Sequence, residues 1–168
     1  VSVAYPAGIV FLDANVFLHN VFAHRRYQAY CRALLRKVEI GEIAGVTSVL
    51  VLDEILFRML IAETARSFSI PFRQAHQFLK DHPERIAELK QSWADIIKIN
   101  SMPHLRILGV TPADFKQCLD LGQQHGLLPH DALHLAVMQR EGITTLVTTD
   151  ADFDRVAGLR VFKPSPLP

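Results

Sequence analysis

Four acidic residues occupy positions from which they could do chemistry together. Asp13 directly follows the β-rich run Ile9-Val10-Phe11-Leu12, and Asp150 directly follows Leu146-Val147-Thr148-Thr149. In an open parallel sheet the carboxyl ends of the strands line the crevice where ligands bind. Carboxylates gathered there repel one another and resist desolvation. A hard divalent cation, Mg²⁺ or Mn²⁺, removes that conflict, because it prefers carboxylate oxygens and keeps waters that exchange for phosphate. Glu54 and Asp131 lie in stretches of helical pattern, Asp131 just after Pro129 and His130 at a helix start.

Each acid also has a purely structural reading. Asp13 can cap the helix that follows it, and Asp150 can open an Asx turn. Asp131 suits a first helical turn, where the positive end of the macrodipole favours an acid. Glu54 stands one turn before Arg58, a surface pair worth only about 0.3–0.5 kcal/mol. Taken singly these readings suffice. They do not explain why two strands end in Asp.

The elements that must position these acids alternate between strand and helix. Ile9–Leu12 reads as a buried strand, and a helix opens near Asn15. A second helix is predicted over about Tyr27–Glu39, with Tyr30, Leu34, Leu35 and Val38 on one face and a stop near Gly41. Ile43–Thr47 reads as a strand, and Ser48 as the N-cap of a helix running past Leu60. Roughly 71–102 reads as two helices divided at Asp81-His82-Pro83, a helical hairpin, with Pro83 in the first turn of the second. Leu105–Val110 is a third strand. Thr111-Pro-Ala-Asp opens a helix that stops around Gly122–Gly126, and another runs from near Pro129 to before Gly142. Thr145–Thr148 is a fourth strand, Phe153 begins a loop or short helix, and Leu159–Phe162 is an edge strand. The pattern predicts an α/β fold with a parallel sheet of four to five strands covered on both faces. Residues 1–168 read as one domain, closed by a Pro-rich tail at 163–168.

The stretches IVFLDANVFLH, TSVLVLDEI, LLPHDALHLAVM and TLVTTDADFD resemble, in order, the four acidic signatures of PIN-domain nucleases. They are most similar to VapC-like bacterial and archaeal members, and DALHLA followed by TTDADF is the most distinctive part. The resemblance runs from about Ile9 to Phe162. It implies a three-layer α/β/α fold, homodimerisation, and a Mg²⁺-dependent endoribonuclease acting as the toxin of a toxin–antitoxin pair. It implies Asp13 and Asp131 as principal metal ligands, with Glu54 and Asp150 completing the cluster directly or through water. Asp152 competes with Asp150 for that duty. Asn15, Thr47 and Thr148 match polar positions that line such sites and orient waters or ligand carboxylates. Hydrolysis would leave a 5′-phosphate and a 3′-hydroxyl. The segment from about Ser69 to Met102 is long for the minimal toxin pattern.

Composition fits this reading and excludes others. The 168 residues are 49% hydrophobic and 21% charged, with a net charge of +1, so the distribution of charge matters more than its sum. Basic residues cluster in His24-Arg25-Arg26, in Arg32–Lys37 and across Arg58, Arg66 and Arg73, which nominates Arg25, Arg26 and Arg58 for contacts to RNA phosphates. No apolar run is long enough to span a membrane, and VSVAYPAG lacks the basic region and apolar core of a secretory signal. Two isolated cysteines, Cys31 and Cys118, suit a reducing cytoplasm and buried thiols. No phosphate-cradling Gly-rich loop and no GxSxG elbow occurs. His134 lies one turn after Asp131; a mixed His/Asp site would suit a transition metal, but the absence of HExxH spacing favours a packed or supporting ring. Rival readings are a PIN-like domain that binds RNA or protein without cutting, an RNA-processing nuclease without an antitoxin, a DNA-directed nuclease and a small-molecule phosphatase. Four intact acids favour cutting.

Overall fold

Val10, Phe11 and Leu12 have no exposed surface, which fixes their strand at the centre of a sheet covered on both faces. In the computed structural model, which describes residues 4–166, this strand is β1 (Ile9–Leu12) of a five-stranded parallel sheet. The others are β2 (Ala44–Ser48), β3 (Leu105–Leu108), β4 (Thr145–Val147) and β5 (Arg160–Phe162), in the order β3-β2-β1-β4-β5. The first residues of VSVAYPAG and the last two of the Pro-rich tail lie outside the described residues. Helices on both sides of the sheet give the expected α/β/α fold.

The chain moves outward from β1 through β2 to β3, then returns to place β4 on the other flank of β1. The winding therefore reverses between β1 and β4. A crevice opens at the carboxyl ends of strands where strand order reverses in this way. Those ends carry Asp13 and, three residues past β4, Asp150.

The chain divides into two compact units, one of residues 1–51 and 103–168 and one of residues 52–102. The first contains the sheet with α1 (Ala14–Val21), α2 (Gln28–Glu39), α6 (Pro112–His125) and α7 (Pro129–Arg140). The apolar face of α2 buries Tyr30, Cys31, Leu34, Leu35 and Val38. It approaches β2 so closely that a Cβ on Gly45 would lie 2.5 Å from Val38 Cγ1, which accounts for a glycine in the middle of a strand. Helix α6 opens on a complete capping box between Thr111 and Asp114, with Pro112 at its start, and closes on Gly126 in the left-handed region (φ 62°).

The second unit holds most of α3 (Val49–Ser67), α4 (Phe72–Asp81), a 3₁₀ turn at Pro83–Glu88 and α5 (Lys90–Asn100). Ser48 accepts from the Val51 amide at 3.3 Å, as an N-cap does. Pro83 opens the 3₁₀ turn rather than α5, because Leu89 (ψ 63°) interrupts the helix and is buried with Ile61, Ala75 and Leu79. Helix α5 has no cap of its own. The Glu63 carboxylate of α3 accepts instead from the Gln91 and Ser92 amides at 3.1 and 2.7 Å and from the Ser92 hydroxyl at 2.6 Å.

Candidate metal centre

Asp13 directly follows β1, is 8% exposed, and caps α1 by accepting from the Ala14 amide at 2.7 Å. Its other oxygen, Oδ2, accepts from the Thr148 hydroxyl at 2.6 Å and from the Asn15 side-chain amide. The same Asn15 nitrogen donates to Thr148 Oγ1 at 2.7 Å, and Asn15 Oδ1 accepts from the Thr149 amide at 3.1 Å. Thr148 Oγ1 also accepts from the Asp150 amide at 2.9 Å. One amide and one hydroxyl thus tie the carboxyl end of β1 to the segment after β4. The Ala14 amide, the Thr148 hydroxyl and the Asn15 side-chain amide hold the Asp13 carboxylate in place.

β4 stops at Val147, one residue earlier than its sequence suggests, because Thr148 turns its hydroxyl into this network. Thr47 lies deeper than the role of a site-lining group implies. It is fully buried, and its hydroxyl donates to the Leu12 carbonyl at 3.0 Å, which braces the strand end that bears Asp13.

Asp131, in the first turn of α7, comes together with Asp150 and Asp152: one carboxylate oxygen from each lies within 4.8 Å of the others. Asp150 forms the Asx turn, its Oδ1 accepting from the Asp152 amide at 2.8 Å. Asp152 pairs with Arg155, whose guanidinium also reaches the Asp152 and Gly126 carbonyls. Of the two competing acids, Asp152 therefore carries a cation and Asp150 carries the turn.

His134, one turn beyond Asp131, is 3% exposed and packs its ring on Phe11 at 5.9 Å between centroids. Burial, followed by the nearby His130, pushes its pKa down to about 4, so the ring is neutral at pH 7. A ring nitrogen lies within 4.8 Å of an Asp13 oxygen, and Nδ1 has no hydrogen-bond partner among the described residues.

Glu54 belongs to the second unit, where it pairs with Arg58 at 2.9 Å, the surface pair that its spacing allows. Arg25 and Arg26 are exposed between α1 and α2. Two residues escaped the reading of the sequence. Thr149 supplies the amide that Asn15 holds, and its hydroxyl meets His19 Nε2 at 3.3 Å. The doubled threonine of TTD and the histidine ending IVFLDANVFLH were the available signals.

Three clustered carboxylates, with Asp13 joined to them through Thr148, offer the hard oxygen donors that Mg²⁺ or Mn²⁺ takes, so the residues present fit such an ion. An acid-lined switch point in a doubly wound parallel sheet defines the class. The model of the PIN domain family matches residues 10–159, and the chain belongs to that family. It is 26% identical over 154 residues to ribonuclease VapC2 of Methanocaldococcus jannaschii, covering 92% of this chain and 93% of that one. Its fold is similar to VapBC2 of Rickettsia felis, solved on a promoter DNA fragment, with a TM-score of 0.61, 17% identity and coverage of 92% and 98%. It is also similar to the Mycobacterium tuberculosis toxin VapC20, described as cleaving the sarcin–ricin loop, with a TM-score of 0.51, 19% identity and coverage of 86% and 92%.

Proposed function

We propose that this protein is a metal-dependent endoribonuclease of the VapC type, hydrolysing RNA phosphodiester bonds with Mg²⁺ or Mn²⁺. The observation that carries the proposal is the Asp13 carboxylate, fixed at the switch point and linked through Thr148 to the Asp131, Asp150 and Asp152 cluster. A divalent cation at such acids supplies a Lewis acid for the phosphoryl oxygen and a nucleophilic water at neutral pH. Asp13, Asp131 and Asp150 are the residues that would hold it, with Glu54 the fourth acid of the family pattern. Asn15 and Thr148 orient Asp13 through an amide and a hydroxyl. Arg25 and Arg26 offset the repulsion between an acidic site and an anionic strand. The family likeness supports a toxin that acts as a homodimer and is restrained by a protein antitoxin. Among the described residues no helix is long and apolar enough to cross a membrane.

The test is incubation of the purified chain with end-labelled RNA in Mg²⁺, in Mn²⁺ and in EDTA, beside Asp13→Asn and Asp131→Asn. Cleavage is expected only with metal and only in the wild type, leaving 5′-phosphate ends. Cutting that survives both substitutions would overturn the assignment. Induced expression in bacteria, followed by mapping of 5′-phosphate ends, distinguishes a toxin, which arrests growth, from a processing enzyme.

A further inference from the structure

The segment His24-Arg25-Arg26 has a defined shape as well as charge. Helix α1 ends in a Schellman motif, in which His24 N–H donates to the His19 carbonyl at 2.9 Å and Ala23 N–H to the Asn20 carbonyl at 3.3 Å. Ala23 occupies the left-handed position (φ 51°) usually given to glycine. A non-glycine residue there carries strain, which persists where the surroundings over-determine the turn.

That turn brings three rings together. His24 and Tyr27 stack at 4.8 Å with 10° between their planes. His19 closes on both, at 4.5 and 5.0 Å. The Arg26 guanidinium covers the Tyr27 ring at 5.3 Å, and Phe22 beside them is 47% exposed. His24 Nδ1 accepts from the Arg26 and Tyr27 amides at 3.3 Å each, so its proton is on Nε2. The patch is therefore a run of aromatic planes with the Arg26 guanidinium over one of them, and the exposed Arg25 adjoins it in the chain.

Its position links it to the acids. His19 Nε2 meets the hydroxyl of Thr149, the residue before Asp150. Helix α1 starts at Asp13 and rises 1.5 Å per residue, so the backbone at His19 is about 9 Å from the Asp13 end. One RNA strand can occupy both places.

We propose that the His19–His24–Tyr27 cluster is a stacking subsite for an unpaired RNA base next to the bond to be cut, with Arg25 and Arg26 holding the neighbouring phosphates. Aromatic planes paired with arginine are the way single strands are gripped without reading a base sequence. The subsite would favour single-stranded or looped RNA over duplex, whose bases are stacked within the helix and unavailable. It rests on the ribonuclease reading for its substrate, although binding and cutting can be measured apart.

The experiment uses short single-stranded RNA oligomers with 2-aminopurine placed at each position in turn, bound to the full chain in EDTA. Stacking quenches the fluorophore, so quenching at one or two adjacent positions is expected. Tyr27→Leu should lose the quench and weaken binding about 5- to 100-fold, while Tyr27→Phe should keep both. An abasic nucleotide at the quenched position should weaken binding to the wild type by a similar factor. Quenching at no position, or an abasic strand bound as tightly as the intact one, would overturn the subsite even if Tyr27→Leu fails to fold. Cleavage of the same oligomers in Mg²⁺ or Mn²⁺ is scored separately. Quenching without cutting would support the subsite and count against the nuclease.

Discussion

Asp13 and Glu63 are buried to the same degree, 8% and 9% exposed, and each accepts from backbone amide at a helix start and from a hydroxyl. Locally they are the same device: a carboxylate stabilised by N–H and O–H donors at the positive end of a helix. Their company differs. In the second unit, Glu63 accepts from Gln91 and Ser92 at the start of α5, the helix it caps. Asp13 shares Thr148 with the Asp150 turn, and Asp150 clusters with two further carboxylates. A buried acid at a helix start is therefore no evidence of chemistry by itself. The evidence comes from a concentration of like charge at a place where topology opens a crevice.

The comparison predicts opposite losses. Asp13→Asn keeps a side chain of the same shape, so secondary structure by circular dichroism should be retained. Metal-dependent cleavage should fall by at least about a hundredfold. Isothermal titration with Mn²⁺ checks the cause directly, since the heat of binding should shrink with the activity. Glu63→Ala should do the reverse, leaving the Ser92 amide and hydroxyl and the Gln91 amide without their acceptor. The expected cost is about 2–4 kcal/mol of stability, read as a lower melting temperature and midpoint in urea. An Asp13→Asn variant that unfolds, or a Glu63→Ala variant that melts like the wild type, would break the distinction.

The sequence carried one half of this contrast. Short-range signals were readable because their physics is local: the strand run before Asp13, the Thr111–Asp114 box, Pro129 before Asp131, and Gly126 at a helix end. The parallel sheet followed from the alternation of strands and helices. Glu63 was not legible, because its partners lie 28 and 29 residues further along the chain and no spacing rule connects α3 with the start of α5. The interruption at Leu89 was hidden for a similar reason, since it depends on the burial of that side chain with Ile61, Ala75 and Leu79. At the site each acid is legible singly, but the work of Asn15 and Thr148, 133 residues apart, in joining two strand ends needs the fold. The rivalry of Asp150 and Asp152 also stayed open in the sequence, which does not show where Arg155 turns.

Thr148→Val tests the link between the acids while conserving shape. The hydroxyl donates to Asp13 and accepts from Asn15 and Asp150, so its loss removes one donor from Asp13 and one acceptor from each of the other two in a fully buried place. A fall of about 10- to 100-fold in metal affinity or cleavage is expected, the usual range for groups that orient ligands rather than bind. If Thr148→Val cleaves like the wild type, Asp13 does not need the β4 end to hold its geometry. The contrast with Glu63 would then rest on proximity alone.

The smallest effect separates the two acids of the turn. Asp150 uses one oxygen to accept from the Asp152 amide, which still leaves lone pairs for a cation. The Asp152 carboxylate faces the Arg155 guanidinium, and both side chains are more than 40% exposed. A cation would have to compete with a charge already in place at Asp152. Asp150→Asn should therefore cost about tenfold or more in cleavage, whereas Asp152→Asn should change cleavage by less than about threefold and stability by no more than about 1 kcal/mol. Titrating both variants with Mn²⁺ makes the comparison independent of turnover. Equal losses would mean that the Arg155 pair opens when the ion binds, and would restore Asp152 as its ligand.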